Sequence, residues 1–317
     1  MIMDDCKQIF IIGHGRSGTT LLIKALSAHP DIDFINNEFN DFPFFYLHQK
    51  LYDKYKYEKY QRMTDDFCMH PWIYAKNICN SAKDFRGFFD GIMDYYRKIT
   101  KKNIIGVKIA NNLKQNVAMI KNEFPDAYIV HIVRDPRDVY LSIKKTNFGT
   151  RSALYAGKSW NEAIRDVLRL KDMKNYHEIR YEDLIVDSKK ELKNLSDFLK
   201  IKYSTKMLDY NKYIDDKIPY YKKDHLLLKK GFVQNNFNKW KKELNKKQLR
   251  LIYHYTYQLM KKYEYEEEIF RCRNISFIRR IFEYLYDKII IRYRMIKLKK
   301  MGLNHKRYFK KIKKRLK

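Results

Sequence analysis

The feature of this sequence that most limits its fold is a glycine-rich loop between a short apolar run and a helical pattern. The apolar run covers residues 9–12, and three glycines follow it: Gly13, Gly15 and Gly18. Apolar residues in 20–28 then recur at helical spacing, and the pattern ends at a His-Pro pair. Backbone N–H groups and the helix dipole at such a loop favour a bound anion, so the stretch predicts an anion-binding loop.

Apolar runs and helical patterns continue to alternate after this loop. Further strands are predicted within 103–109, 127–133 and 177–184, and helices over 113–124, from Pro136 onward, over 153–174 and over 188–199. This order predicts an α/β fold, a P-loop-like doubly wound parallel sheet flanked by helices. Ligands of such sheets bind at the carboxyl ends of the strands, where the glycine loop, Lys108 and Arg134 should meet.

The loop partly fits two further nucleotide-binding patterns. A Walker loop requires Lys and then Ser or Thr after its last glycine, and here Thr19 occupies the lysine position. The G-x-G-x-x-G spacing also fits a dinucleotide-binding turn, and Glu38 lies where its ribose-binding acid is expected. That second interpretation gives no role to the segment "RDPRDVYLS", residues 134–142. Both remain alternatives at this point.

Several motifs in order resemble sulfotransferases that use 3′-phosphoadenosine 5′-phosphosulfate (PAPS). "GRSGTTLL" with "HPDI" resembles the phosphosulfate loop of that family, and "FPDAYIVHIVRDPRDVYLS" resembles its 3′-phosphate motif. "RYEDL" and "KGFVQNNFNKWKKEL" resemble two later blocks, and "YEYE" near 263–266 resembles the end of the domain. The R-S-G-T-T form is most similar to the bacterial, carbohydrate and tyrosylprotein branches. The likeness covers residues 8–268.

The resemblance implies a PAPS-binding site that needs no metal and a set of residues for it. The donor would be held by Gly15, Arg16, Ser17, Gly18, Thr19, Thr20, Arg134, Ser142, Tyr181, Lys230 and Lys239. Arg134 and Ser142 would share the 3′-phosphate, because one helix beginning at Pro136 would return the serine toward the arginine. The catalytic residues would be Glu38 as base, Lys108 beside the transferring group, and Arg16.

Two departures from the family pattern bear on this site. Ile109 and Ala110 follow Lys108, so the histidine base of the cytosolic branch is missing. Asn236 and Asn238 stand where small or basic residues are common, which weakens the prediction of the loop that closes over adenosine. His14 and His131 are interpreted as structural residues.

The C-terminal residues differ in character from the rest of the chain. Of a net charge of +30, residues 274–317 carry +14, and the apolar stripe at 278, 282, 285, 289 and 296 is helical. We therefore predict an α/β domain over 1–268 and a basic amphipathic extension over 269–317. This extension would pack on the core or on a second copy, lie on an anionic membrane, or bind nucleic acid. The sequence contains no base-reading motif to accompany nucleic-acid binding.

The sequence also gives expectations about the acceptor, the cysteines and the cellular location of the protein. The acceptor would be a hydroxyl of a glycan, a glycolipid or a tyrosine, with part of its pocket formed by aromatic residues of 39–102. The four scattered cysteines form no C-x-x-C pair, so no metal site or disulfide framework is predicted. The acidic N-terminus resembles no signal peptide, and we expect a cytoplasmic protein, peripheral at the inner face of the membrane. The alternative is a basic nucleotide-binding or interaction protein that transfers no sulfuryl group.

Overall fold

A computed structural model of the chain describes residues 8–35, 84–146, 149–213, 226–265 and 275–300. Within these residues lies a five-stranded sheet in which every strand pairs parallel to its neighbours, in the order β2-β3-β1-β4-β5. The strands are β1 (Ile9–Ile12), β2 (Ile32–Ile35), β3 (Ile104–Ile109), β4 (Tyr128–Val133) and β5 (Tyr176–Arg180). The predicted doubly wound α/β fold is therefore confirmed.

Helices connect and cover these strands. In chain order they are α1 (Thr19–Ser27), α2 (Phe85–Thr100), α3 (Leu113–Glu123), α4 (Pro136–Lys144), α5 (Ala153–Val167), α6 (Tyr181–Val186), α7 (Ser188–Phe198), α8 (Trp240–Glu243), α9 (Lys246–Lys262) and α10 (Phe277–Lys300). Short 3₁₀ turns occupy Leu168–Leu170, Thr205–Met207, Tyr210–Tyr213 and Leu226–Lys230. The long helix predicted over 153–174 ends earlier, because its last turns become one of these 3₁₀ segments.

Local sequence explains several helix starts. Pro136 occupies the first turn of α4, where its missing N–H costs nothing, and the Asp135 side chain accepts from the backbone N–H of Arg137. Ser152 caps α5 in the same way. Asn245 and Gln248 form a reciprocal capping box at the start of α9.

Apolar side chains cover both faces of the sheet. On one face, Phe10 packs with Phe89 and Phe124, whose ring centroids lie 4.5 Å apart. On the other face, β1 and β4 pack against α1, α6 and α7. A third cluster joins α5 to α9, where a Cβ built on Gly157 would lie 2.8 Å from the Ile252 carbonyl oxygen. Only glycine allows this close approach of the two helices.

The carboxyl ends of the central strands form the edge that carries the candidate site. Ile12, the last residue of β1, pairs with Ile109 of β3 and His131 of β4. The glycine loop, Lys108 and Arg134 consequently lie at one edge, as the sequence predicts. The predicted domain boundary at 268/269 falls outside the described residues, whereas α10 lies within the predicted extension and is helical.

Candidate functional site

The glycine loop makes a tight turn between β1 and α1. Its backbone is tied to β3 by the Gly13 N–H, which donates to the Ile109 carbonyl at 3.1 Å, and Ser17 N–H donates back to His14 at 3.1 Å. Arg16 and Gly18 have φ angles of +70° and +101°, in the left-handed region. No side chain caps the start of α1. The N-terminus of α1 therefore retains the anion-binding character that the sequence predicts.

Arg16 links the loop to α4. Its Nε donates to Ser142 Oγ at 3.0 Å, and its carbonyl oxygen accepts from Arg134 Nη1 at 3.3 Å. Arg16 thus contacts both Ser142 and Arg134, the two residues predicted to share the 3′-phosphate, and that sharing stays a prediction.

Arg134 is held from several sides immediately after β4. Only 7% of the residue is exposed, and its guanidinium lies 4.1 Å from the centre of the Tyr181 ring. Trp160 Nε1 donates to the Arg134 carbonyl oxygen at 2.9 Å. The Nε of Arg134 is buried without a hydrogen-bond partner among the described residues. A buried guanidinium with an unsatisfied donor is suited to an anionic ligand.

The acids next to Arg134 in sequence have other partners. Asp135 forms a bidentate ion pair with Arg137, which is fully buried. Asp138 accepts from the backbone N–H groups of Asn238 at 2.6 Å and Trp240 at 3.1 Å. Burial raises the pKa of Asp138, and the nearby Asp135 raises it further. Asp138 therefore fixes the end of the 231–239 loop on α4, a role that the sequence alone did not indicate.

Asn236 is the residue of that loop that contacts the site most. Its carbonyl oxygen accepts from Arg134 Nη2 at 2.7 Å, and its Nδ2 donates to the Tyr181 hydroxyl at 2.7 Å. Lys239 Nζ donates to Asn236 Oδ1 at 2.6 Å. The sequence marked Asn236 only as a departure from the family pattern. The structure shows that its side chain makes two hydrogen bonds, with Tyr181 and Lys239, whereas the bond with Arg134 uses its backbone carbonyl.

Tyr181 and Lys239 contribute differently from one another. Tyr181 is 3% exposed, and its ring contacts both the Arg134 guanidinium and the glycine loop. A Cβ added to Gly18 would lie 2.5 Å from this ring. Lys239 is exposed, and partial desolvation lowers its pKa, with Arg134 and Lys145 adding to that shift. Lys239 is thus part of a positively charged region around Arg134.

Lys108 reaches the loop from β3. The residue is only 4% exposed, so its side chain is not solvated at the end of the strand. Its Nζ lies 3.4 Å from Thr20 Oγ1. Ser17 is fully buried, and its Oγ has no hydrogen-bond partner in the described parts of the chain. A lysine and an unsatisfied hydroxyl beside the N-terminus of α1 form a second place for an oxyanion.

The remaining predicted residues fall into three groups. Thr19 is buried at the start of α1, and a Cβ on Gly15 would meet nothing nearer than 3.8 Å. Lys230 is exposed in the 3₁₀ turn that precedes the loop and takes part in none of the hydrogen bonds described above. Glu38 and the aromatic residues of 39–83 lie outside the described residues, whereas Phe85 and Phe89 of α2 are buried in the core. Among the residues that are described, no cluster of metal-ligating side chains occurs.

His14 is buried beside the loop without serving the site directly. Its Nδ1 contacts the Gly15 carbonyl oxygen at 2.8 Å, and its Nε2 contacts Ser159 Oγ at 3.1 Å. Desolvation lowers the pKa of His14 to about 4. The ring is therefore neutral near pH 7 and fastens the loop to α5.

Comparison with protein families decides the assignment of the chain. The model of the Sulfotransferase family matches residues 8–205, which include the glycine loop, Lys108, Arg134 and Ser142. The chain belongs to the sulfotransferase family. No curated protein matched the sequence directly.

Solved structures agree with this assignment at the level of the fold. The sulfotransferase domain of the Synechococcus PCC 7002 olefin synthase has a TM-score of 0.60 and 22% identity, over 83% of this chain and 98% of that chain. The sulfotransferase domain from the curacin biosynthetic pathway has a TM-score of 0.57 and 18% identity, over 80% and 97%. A mouse sulfotransferase complexed with PAP has a TM-score of 0.50 and 17% identity, over 82% and 88%.

Proposed function

We propose that this sulfotransferase uses PAPS and that the residues at the carboxyl edge of the sheet hold it. The observation that carries the proposal is the convergence of Arg16, Lys108 and Arg134 on the N-terminus of α1. Two buried polar atoms there, Ser17 Oγ and Arg134 Nε, have no partner among the described residues. Such atoms would be satisfied by the oxygens of a phosphorylated ligand. The mouse relative's complex with PAP adds support.

Each residue has a separate role in the proposal. Arg16, Ser17, Gly18, Thr19 and Thr20 bind the 5′-phosphosulfate, while Arg134 and Ser142 bind the 3′-phosphate. On binding, the ligand's oxygens replace the neutral oxygens of Ser142 and Asn236 that the two arginines contact. Tyr181 stacks on Arg134, and Lys239 adds positive charge. Lys230 remains part of the proposal through the family resemblance alone.

Sulfuryl transfer forms one oxygen–sulfur bond and breaks another. The acceptor oxygen bonds to sulfur as the bond between sulfur and the bridging phosphate oxygen breaks, which releases adenosine 3′,5′-bisphosphate (PAP). Lys108 and Arg16 stabilise the negative charge that develops on that bridging oxygen, so the proposal assigns this role to side chains and not to a metal. Correct alignment of the acceptor by the pocket supplies the remaining rate acceleration.

Glu38 is proposed as the base that takes the proton of the acceptor hydroxyl. Its support is the family resemblance of the segment after "HPDI", in which Glu38 comes three positions after the last residue of β2. Replacing Glu38 with Gln should reduce turnover about 10²–10⁴-fold, because general base catalysis is worth that much. The affinity for PAP should stay unchanged, and full turnover by the variant would assign the base elsewhere.

The acceptor is proposed to be a hydroxyl of a glycan or glycolipid, with a peptide tyrosine as the alternative. The R-S-G-T-T loop favours these acceptors, because it is most similar to the branches that act on them. We also propose an anionic membrane as a partner of residues 274–317, for reasons that the exposed face of α10 provides below.

Nucleotide binding tests the central part of this proposal. Calorimetric titration of the full chain with PAP, AMP, ATP and NAD should give one strong ligand, PAP. Binding to the folded state alone should also raise the melting temperature with PAP concentration. Preference for ATP or NAD would favour the Walker or dinucleotide interpretation. Incubation with PAPS and mixed glycan acceptors, followed by detection of PAP release, then tests the transfer itself.

A further inference from the structure

Helix α10 is attached to the α/β domain through its acidic side. Glu283 Oε2 accepts from Ser152 Oγ at 2.8 Å, and Asp287 Oδ1 accepts from the Arg151 backbone N–H at 2.7 Å. Glu283 is 6% exposed. Both carboxylates lie at the N-terminus of α5, where the helix dipole favours negative charge. The only two acids in the sequence of α10 are therefore used to dock it on the domain.

The opposite side of α10 is apolar and uncovered. Ile278, Phe282, Leu285 and Ile289 are 79%, 58%, 51% and 65% exposed. Their spacing of four, three and four residues places them on one face, since an α-helix turns about 100° per residue. Glu283 and Asp287 lie roughly opposite that face by the same geometry. The helix thus contacts the α/β domain through its acidic side, while these four side chains remain exposed.

Charge determines which partner suits this face. Residues 274–317 carry a net charge of +14, and Arg280, Lys288 and Arg292 are exposed on α10. A second copy would bring two such segments into contact and would be opposed by their repulsion. Nucleic acid would use the charge but would leave the large apolar side chains in water. An anionic lipid surface accommodates both, because acyl chains and headgroups meet at the depth of an interfacial helix.

We propose that α10 lies in the plane of an anionic membrane surface, with Ile278, Phe282, Leu285 and Ile289 inserted between the headgroups. The helix is 24 residues long, so about 36 Å of it is available for this contact. None of the described helices meets the length and hydropathy of a membrane-spanning segment. The proposal goes beyond sulfuryl transfer and does not depend on it.

Vesicle flotation of the full chain tests the proposal. The wild type should float with mixed phosphatidylcholine–phosphatidylserine vesicles and remain behind with phosphatidylcholine alone. A triple variant, Ile278→Ser, Phe282→Ser and Ile289→Ser, should bind the mixed vesicles at least about tenfold more weakly, because the apolar contact is lost without any change in charge. Val186→Ser removes an equally exposed apolar side chain elsewhere and should float like the wild type.

Several outcomes would overturn the proposal. Equal flotation of the triple variant and the wild type would show that charge alone attracts the chain to the vesicles. Absence of wild-type flotation would show that the chain does not bind an anionic membrane. A concentration-dependent dimer that the triple substitution abolishes would identify a second copy as the partner. Duplex DNA binding that weakens in the same variant would identify nucleic acid. Unchanged melting temperature and PAP affinity in the variant establish that any loss of flotation belongs to this face.

Discussion

At the scale of single residues, Arg134 is the cation whose role can be tested most directly. Its guanidinium is buried, stacked on Tyr181 and bound to two backbone carbonyl oxygens. Arg134→Ala should weaken PAP binding by about 1.5–3 kcal/mol, the value of a hydrogen bond to a charged group. The binding of AMP, which lacks the 3′-phosphate, should change much less. Calorimetric titration of both nucleotides with both proteins measures the difference.

A matched variant separates the loss of charge from the loss of a large side chain. Arg134→Lys keeps the positive charge but has no planar fork, so it should recover only part of the preference for PAP over AMP. Equal losses of PAP and AMP affinity in the alanine variant would place Arg134 away from the 3′-phosphate. Near-native circular dichroism of both variants is required before either result is interpreted.

Gly18 and Gly15 form a natural pair for testing the loop. Gly18 has φ +101°, and an added Cβ would meet the Tyr181 ring at 2.5 Å, whereas a Cβ on Gly15 would lie 3.8 Å from the Ala110 carbonyl oxygen, an ordinary contact distance. Gly18→Ala should lower the free energy of unfolding by at least about 1–2 kcal/mol, the cost of a left-handed backbone for an L-residue. Gly15→Ala should change it by less than about 0.5 kcal/mol. Urea unfolding of the two variants compares them, and equal stability would contradict the described loop geometry.

At the scale of secondary-structure elements, Asp138 couples α4 to the 231–239 loop. An asparagine there keeps one acceptor oxygen but loses the second acceptor and the charge, so one of the N–H groups of Asn238 and Trp240 becomes unpaired. Asp138→Asn should therefore loosen the loop and weaken PAP binding about threefold to tenfold. Limited trypsin digestion should cleave the lysine-rich stretch near 239–242 faster. Titration with PAP gives the affinity.

The control for this variant is a charge change on another helix. Asp183 is half exposed on α6 and forms an ion pair with Arg180, so Asp183→Asn should leave both the digestion pattern and PAP affinity unchanged. If Asp138→Asn also leaves both unchanged, the loop is held by other contacts, and Asn236 then becomes the residue to substitute.

Most elements of the sheet could be predicted because their signals are local. Continuous apolar runs indicate β1, β3 and β4, and Pro136 marks the start of α4. β2 was missed because four residues with one aspartate, directly after a turn, resemble a loop. α9 was missed because aromatic residues and lysines there obscure the apolar period, and α2 lies in 39–102, where helices and loops were expected without bounds. Their helical state depends on packing against the sheet and against α5, which no local pattern contains.

Some residues of the candidate site could also be predicted from local sequence, whereas the roles of others depend on long-range contacts. Arg16, Lys108 and Arg134 could be predicted because each follows or ends a strand, and parallel strands bring their carboxyl ends together. The roles of Asp138 and Asn236 depend on contacts across roughly 100 residues of sequence. The hydrogen bond from Arg16 to Ser142 likewise joins residues 126 positions apart. Contacts between residues so far apart in sequence form only in the folded chain, so no local sequence pattern predicts them.

At the scale of the whole molecule, α5 connects the proposed membrane face with the candidate site. Its first residues receive Glu283 and Asp287 of α10, and Trp160 in its middle holds the Arg134 carbonyl oxygen. Ser152 and Trp160 are eight positions apart, which corresponds to about 12 Å along the helix. A membrane-bound acceptor and the proposed donor site would thus be related by one rigid helix, which favours a glycolipid among the proposed acceptors.

The stability of the whole chain depends on pH, and His14 makes the contribution that is easiest to isolate. Burial lowers the pKa of His14 in the folded protein to about 4, below the ordinary value of 6.5. Below pH 6.5 the unfolded chain takes up a proton that folded His14 does not, so stability is lost as the pH falls toward 4 and levels off below it. Between about pH 7.5 and about pH 5 this one residue should cost roughly 2 kcal/mol.

The variant His14→Gln tests this sign and size, because glutamine can hydrogen-bond to Ser159 and does not titrate. Burial also lowers the pKa of His131, His177 and His254, which adds to the loss on acidification, but it raises the pKa of Asp138 and Glu182, which opposes the loss. The quantity to compare is the difference between the two pH values in the free energy of unfolding by urea. That difference should be smaller in His14→Gln by roughly 2 kcal/mol. Parallel pH profiles for the two proteins would mean that His14 is protonated in the folded state, and its neutral hydrogen-bonding role beside the glycine loop would be wrong.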